Sequence, residues 1–289
     1  MKSRPVRTEA RHQTGIEWTT ATWNPFVGCS IHTPGCTNCY AMRQAARIER
    51  MAHAPYYAGT TRIANGHPIW TGKLARASDD QVRKPLTIRS PARIFVNSMS
   101  DFFHEGALDE WRLEALAIMR ATPRHSYQVL TKRPEEIRPF LDRAGAELPA
   151  NVWLGATVER GDFAHRIDTL RAVAAAIRFR SIEPLIGPIG ELDLSGIHWV
   201  IVGGESGPGA RRMAREWLAG VIDQCRAQHV ALFFKQWGIP QNNPLWAEAV
   251  TLGFPPATYV AERDPVGKGG SRYLGREIKQ YPTRRPLRG

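Results

Sequence analysis

Apolar residues fall along the chain in short β-branched or aromatic runs, each followed by polar residues and then by a stretch of helical spacing. RIFVNSMSD (93–101) precedes Asp109 to Ala121, where Trp111, Leu113, Leu116, Ala117 and Met119 include the 3–4 spacing of a packed face. SYQVLTKRP (126–134) precedes EEIRPFLDRAG, and NVWLGATVER (151–160) precedes residues 162–176. IRFRSIEPL (177–185) comes next, then HWVIVGGESG (198–207) leading into REWLAGVIDQCRAQ (215–228), and VALFFKQWG (230–238) closes the series. With a first strand just before Cys29, the pattern predicts about seven strands. Strands apolar on both faces and alternating with helices predict an α/β fold on a parallel sheet, barrel-like or doubly wound.

Each predicted strand ends in polar residues: Asn97 to Asp101, Thr131 to Arg133, Thr157 to Glu159, Ser181 to Glu183, Gly203 to Ser206 and Lys235 to Trp237. In parallel αβ folds the carboxyl ends of the strands converge on the rim that holds the active site. A packed core does not require Lys132, Glu159, Glu183, Glu205 and Lys235 to recur at one structural point. Two stretches break the rhythm. Residues 52–92 are punctuated by Pro and Gly and read as an insertion, and residues 239–289 read as a C-terminal extension over the barrel mouth.

Three of the four cysteines crowd into GCSIHTPGCTNCYA, a C-x6-C-x2-C arrangement of Cys29, Cys36 and Cys39. Thiolates are soft ligands for iron–sulfur clusters or zinc. Three without a fourth leave one iron of a cubane open, as is needed when a cofactor must bind that iron. The competing set is zinc on Cys29, His32, Cys36 and Cys39, which the short spacing between His32 and Cys36 makes cramped. Cys225 lies at helical spacing with Trp217, Leu218, Val221 and Ile222 and reads as core. Other chemistries drop out: GGESGPG has neither G-x-G-x-x-G order nor a P-loop Lys-Ser/Thr, and His104-Glu105 lacks an H-E-x-x-H partner because position 108 is Leu.

The cysteine loop follows a predicted strand and opens the helix CYAMRQAARIERM. With IEWTTATWNPFVGC, IFVNSMSDFFHE, YQVLTKRPE, WLGATVE, SIEPLIGPI, VIVGGESGPGAR and FFKQWG, it resembles a bacteriophage-associated, radical-SAM-like family of undefined substrate. The resemblance covers residues 15–238 and extends more loosely to spore photoproduct lyase. The usual superfamily spacing is C-x3-C-x2-C; here the first gap is six residues, while the final C-x2-C and the aromatic Tyr40 after it are kept. The resemblance implies a partial or complete TIM-like (β/α) barrel over 16–238, preceded by a basic arm at 1–15. It also implies a [4Fe–4S] cluster on Cys29, Cys36 and Cys39, with S-adenosylmethionine on the open iron and an electron donor such as flavodoxin or ferredoxin. Reductive cleavage would then give a 5′-deoxyadenosyl radical. In that frame Asn97, Ser98 and Asp101 accept from the methionine ammonium, and Lys132 pairs with its carboxylate. Thr157 and Glu159 stand at the ribose, Gly203 and Gly204 admit the adenosyl group, and Glu183, Glu205 and Lys235 are cofactor or substrate contacts.

Charge bears on the substrate. The net charge of +12 suggests nucleic acid, but residues 1–15 supply +3 (four Lys/Arg against Glu9) and residues 263–289 supply +6 (eight against Asp264 and Glu277). The body is left at about +3. Trp18, Trp23, Tyr56, Tyr57, Trp70 and Trp237 are candidate base-stacking groups. The expected function is radical modification or repair of a nucleic-acid or nucleotide base. The alternatives are a metal-stabilised nucleic-acid-binding protein and a radical enzyme for a small molecule or peptide. Few cysteines, no long apolar run and no apolar leader in the first fifteen residues suggest a reducing, cytoplasmic setting away from membranes.

Overall fold

Seven of the apolar runs become strands of one sheet in a computed structural model that describes residues 14–283. They are β1 (Ala21–Trp23), β2 (Arg93–Val96), β3 (Ser126–Thr131), β4 (Val152–Thr157), β5 (Ile177–Ile182), β6 (Trp199–Val202) and β7 (Ala231–Phe234). The strand order follows the chain without reversal and the strands run parallel. A doubly wound sheet reverses its order at a switch point, so the sequential order fits the partial TIM-like (β/α) expectation. Burial on both faces explains why VWLGAT in β4 and WVIV in β6 carry no polar alternation: every residue of both is buried.

Helices follow most strands: α1 (Tyr40–Arg50), α2 (Asp109–Ala121), α3 (Ile137–Ala144), α4 (Arg166–Arg171), α5 (Arg215–Ala227), α6 (Pro244–Leu252) and α7 (Pro256–Arg263). In α2, Asp109 and Glu110 in the first turn and Arg120 in the last complement the helix dipole. In α6, Asn243 caps the first turn by accepting from the Leu245 N–H, Pro244 starts the helix, and left-handed Gly253 ends it. The stretch 162–176 yields only the six residues of α4. No helix among the described residues is long and apolar enough to cross a membrane.

The described residues divide into two compact units, one of 14–30, 41–130 and 136–153, the other of 31–40, 131–135 and 154–283. In the first, the 52–92 insertion forms a hairpin (Thr61–Ala64 with His67–Trp70) and pairs Ala75–Arg76 with Phe26–Val27. In the second, the extension runs back along the edge of β7: Phe234 N–H donates to the Ile278 carbonyl at 2.8 Å and Gln280 N–H to Leu232 at 3.0 Å. The basic residues Lys2, Arg4, Arg7, Arg11, Arg284, Arg285 and Arg288 lie outside the described residues.

The core holds one anomaly. Arg180 in β5 is fully buried, and its three guanidinium nitrogens have no hydrogen-bond partner. Burial pushes its pKa down to about 9, and burial likewise lifts the thiol of nearby Cys225 to about 12. Cys225 therefore stays protonated at neutral pH and supplies no counter-charge. It is buried in α5 with Leu218, Val221 and Ile222. Replacing even a buried ion pair by well-packed apolar side chains is often neutral or stabilising, and an unpartnered guanidinium has no pairing to lose. Arg180→Met is therefore expected to raise Tm in thermal unfolding; a lower Tm would show that the guanidinium has a partner in solution.

Candidate functional site

Two carboxylates past the carboxyl ends of β4 and β6 hold the segment that carries Cys36 and Cys39. Glu159, two residues beyond β4 and fully buried, accepts from Thr33 Oγ1 at 2.6 Å. Lys132 Nζ donates to the same Oε1, and Arg166 Nη1 lies 3.4 Å from Oε2 while donating to the Thr157 carbonyl at 2.8 Å. Gly35 passes so close to this carboxylate that a Cβ would collide with it. Glu205, three residues beyond β6, accepts on Oε2 from Asn38 Nδ2 at 3.0 Å and from the Arg211 backbone N–H at 2.8 Å. The Arg211 guanidinium completes a two-pronged contact through Nε (2.9 Å) and Nη2 (2.5 Å). The loop is thus fastened at Thr33 and Asn38, with a single turn (Pro34–Cys36) between them and Cys39 directly after the second.

Electrostatics keep both anchors charged. Burial alone raises the Glu159 carboxyl, but the Lys132 charge and hydrogen bond, the Thr33 hydroxyl and the Arg166 charge together hold it below the usual carboxylate range. Burial likewise opposes ionisation of Glu205, and its bonds to Arg211 and Asn38 prevail. Arg211 is raised, chiefly by Glu205, and also feels the Glu159 charge.

The second unit therefore brings together Cys36, Cys39, Lys132, Thr157, Glu159 and Glu205. Lys132 pairs with a protein carboxylate. So does Lys235, whose Nζ reaches Glu183 Oε1 at 2.5 Å beside Gly203. Gly204 lacks room for a side chain because the Trp237 carbonyl lies against it, so its glycine serves strand packing. Tyr40, the first residue of α1, is half exposed. The resemblance pointed to none of Thr33, Asn38, Arg166 and Arg211. A Thr and an Asn flanking the cysteines are the only sequence hint, because short polar side chains tie loops to neighbouring groups.

In the first unit, the 97–101 turn holds the approach to Cys29. Asn24 Oδ1 accepts from Ser98 Oγ (3.2 Å) and the Met99 N–H (2.9 Å), and Gly28 exchanges backbone and side-chain bonds with Met99 and Ser100. Asp101 Oδ1 accepts from the Phe103 N–H. Asn97, left-handed at φ 57°, donates to the Phe26 carbonyl, while its buried Oδ1 has no partner. The Gly72 N–H donates to the Cys29 carbonyl at 3.1 Å, so the insertion is tied to the first cysteine.

A family model described as a protein of unknown function (DUF5131) matches residues 13–282. The chain belongs to the DUF5131 family. No curated protein and no solved structure matches it. In this DUF5131 chain, no group of three or more His, Cys, Asp or Glu side chains among the described residues is gathered to hold a metal ion. His32 lies 3.8 Å from Glu135. Ser30 and His104 meet at 2.8 Å, but the Gly106 N–H donates to His104 Nδ1. The imidazole proton is therefore on Nε2, the tautomer that cannot take a proton from Ser30. The aromatics Trp18, Trp23, Tyr57, Trp70 and Trp237 are buried in packing.

Removing the Glu159 charge leaves two cations without their counter-charge, a loss of about 3–5 kcal/mol for a buried pair. Lys132, 22% exposed, recovers some hydration, which favours the lower end. Glu159→Gln should therefore lower Tm and expose Cys36 to thiol labelling in the folded chain. A carboxyl held low contributes stability above its unfolded pKa and loses it as pH falls through the folded value. The wild type should therefore lose stability below about pH 4, less steeply in Glu159→Gln, when melting is followed against pH.

Proposed function

We propose that the chain is a radical S-adenosylmethionine enzyme, with Cys29, Cys36 and Cys39 holding a [4Fe–4S] cluster and a nucleic-acid base as substrate. The observation that carries the reading is the fastening of the Cys36–Cys39 loop, through Thr33 and Asn38, to carboxylates at strand carboxyl ends, where parallel αβ folds do chemistry. The donor set fits: three soft thiolates suit iron–sulfur and leave one iron without a protein ligand. The unpartnered, buried Asn97 Oδ1 past β2 is an acceptor suited to an ammonium donor.

A cluster held by Cys29, Cys36 and Cys39 would supply the electron for reductive cleavage of the S-adenosylmethionine sulfonium. The protein's share is positional. Glu159 and Glu205 fix the loop, Lys132 offers its ammonium at the rim, and the Glu183–Lys235 pair keeps two opposite charges facing one another without strong net field. Ionised carboxylates in place before ligand arrives need no rearrangement during reaction.

Anaerobic reconstitution should give about four irons per chain, by cluster stoichiometry. Cys29→Ala, Cys36→Ala and Cys39→Ala should each lose iron. Reduction with S-adenosylmethionine should release 5′-deoxyadenosine from the wild type alone. Stoichiometric zinc without iron after anaerobic purification would sink the proposal in favour of a metal-stabilised binding protein.

A further inference from the structure

Beside the Glu205–Arg211 contact the second unit forms a pocket of about 460 Å³, lined by residues 212–215 and 217 at the start of α5 and by 241–244, 246 and 247 at the start of α6. That volume is in the range of small-ligand sites. Trp217 from α5 and Trp246 from α6 line it, each half-buried, whereas Trp18, Trp23, Trp70 and Trp237 are sealed in packing. Arg212 and Arg215, both exposed, complete the lining, and no carboxylate belongs to it among the described residues. Buried Asn242 braces the floor. Its Oδ1 accepts from the Met213 N–H at 3.1 Å and its Nδ2 donates to the Trp237 carbonyl at 2.8 Å.

We propose that this pocket binds single-stranded nucleic acid, one base stacking on the Trp217 and Trp246 rings and the adjoining phosphates meeting Arg212 and Arg215. Two half-buried indoles lining one pocket suit stacking with any base, because every base has a π-face. Arg suits phosphate through its planar fork. A base in a duplex has both faces covered by its neighbours, so only an unpaired or extruded base can enter. Arg211 spends its guanidinium on Glu205, but neither Arg212 nor Arg215 has an acidic partner among the described residues, so their charge is available to a ligand. The pocket also adjoins the cysteine loop along the chain: Arg212 follows Arg211, which grips Glu205, which holds Asn38 next to Cys39.

The proposal rests on the nucleic-acid half of the functional reading and is independent of the radical half. Binding of a fluorescein-labelled oligothymidylate to the full chain, followed by anisotropy without added iron or S-adenosylmethionine, therefore tests it separately. The oligomer should bind more tightly than the same sequence in duplex form and more tightly than thymidine monophosphate. Trp217→Ala or Trp246→Ala should weaken binding roughly 5- to 150-fold, the loss of one base–aromatic stack, and Trp217→Phe should restore most of it. The Arg212→Gln, Arg215→Gln double variant, altered only at exposed positions, should lower the slope of log K against log salt by about 1.4 for two phosphate contacts. Unchanged affinity in the tryptophan and arginine variants overturns the proposal. So does a preference for duplex, equal binding of the mononucleotide, or no binding by the wild type. Iron content after anaerobic reconstitution, read on the same proteins, reports on the radical reading separately from these outcomes.

Discussion

A carboxylate sealed from water must be met by donors and cations, and Glu159 meets them on three separate stretches of chain. Thr33 comes from 31–40, Lys132 from 131–135, and Arg166 from the long segment that begins at 154. These are the three pieces of which the second unit is composed. An uncompensated buried charge costs several kcal/mol, against a net stability of about 5–15 kcal/mol for a whole domain. One side chain therefore requires three distant segments to arrive together. The cysteine segment gains its position from that requirement, having neither a regular strand nor a long helix of its own between residues 31 and 39.

The sheet was largely legible in the sequence because two-sided burial writes itself as continuous apolar runs. WVIV and VWLGAT could be read as strands from their continuous apolar runs, and the 3–4 spacing of Trp111, Leu113, Leu116, Ala117 and Met119 marked α2. The short α4 was less legible, since 162–176 holds enough apolar residues for a longer helix. The site was half legible. Polar residues at strand ends showed where chemistry belongs, but not which charges would pair with one another. Lys132 with Glu159, Glu183 with Lys235 and Glu205 with Arg211 are contacts across 27, 52 and 6 residues of chain. No local spacing rule reports the two longer ones. Arg180 was invisible for a related reason: a charged residue inside a strand reads as an exposed position until packing covers it.

Pairing also changes what the rim can do. Isolated charges in a half-buried cleft would shift their pKa values or collapse onto whatever solute came near. Paired, they keep their ionisation and hold fixed directions, and the field they present is that of dipoles. Lys235, whose partner Glu183 is itself part-exposed, can exchange one carboxylate for another at modest electrostatic cost, whereas Glu159, with its partner Lys132, and Glu205 cannot break their contacts without releasing the loop. The rim thus contains members that can trade contacts and members that cannot, and the cysteine segment is attached only to the second kind.

The backbone of residues 278–280 lies along β7, with Lys279 opposite Phe233, Lys279 Nζ on the Phe234 carbonyl, and Tyr281 against the Trp199 and Phe233 rings. An open parallel sheet grows by adding each new strand to the last, so a nascent chain shows a bare edge at every stage of synthesis. That edge is a template for any other extended chain. Because the strand order here follows the order of translation, the final covering arrives some forty residues after β7 itself. Until then β7 presents an unpaired edge to any extended segment nearby. A chain truncated before residue 278 would carry the same vulnerability for its whole lifetime.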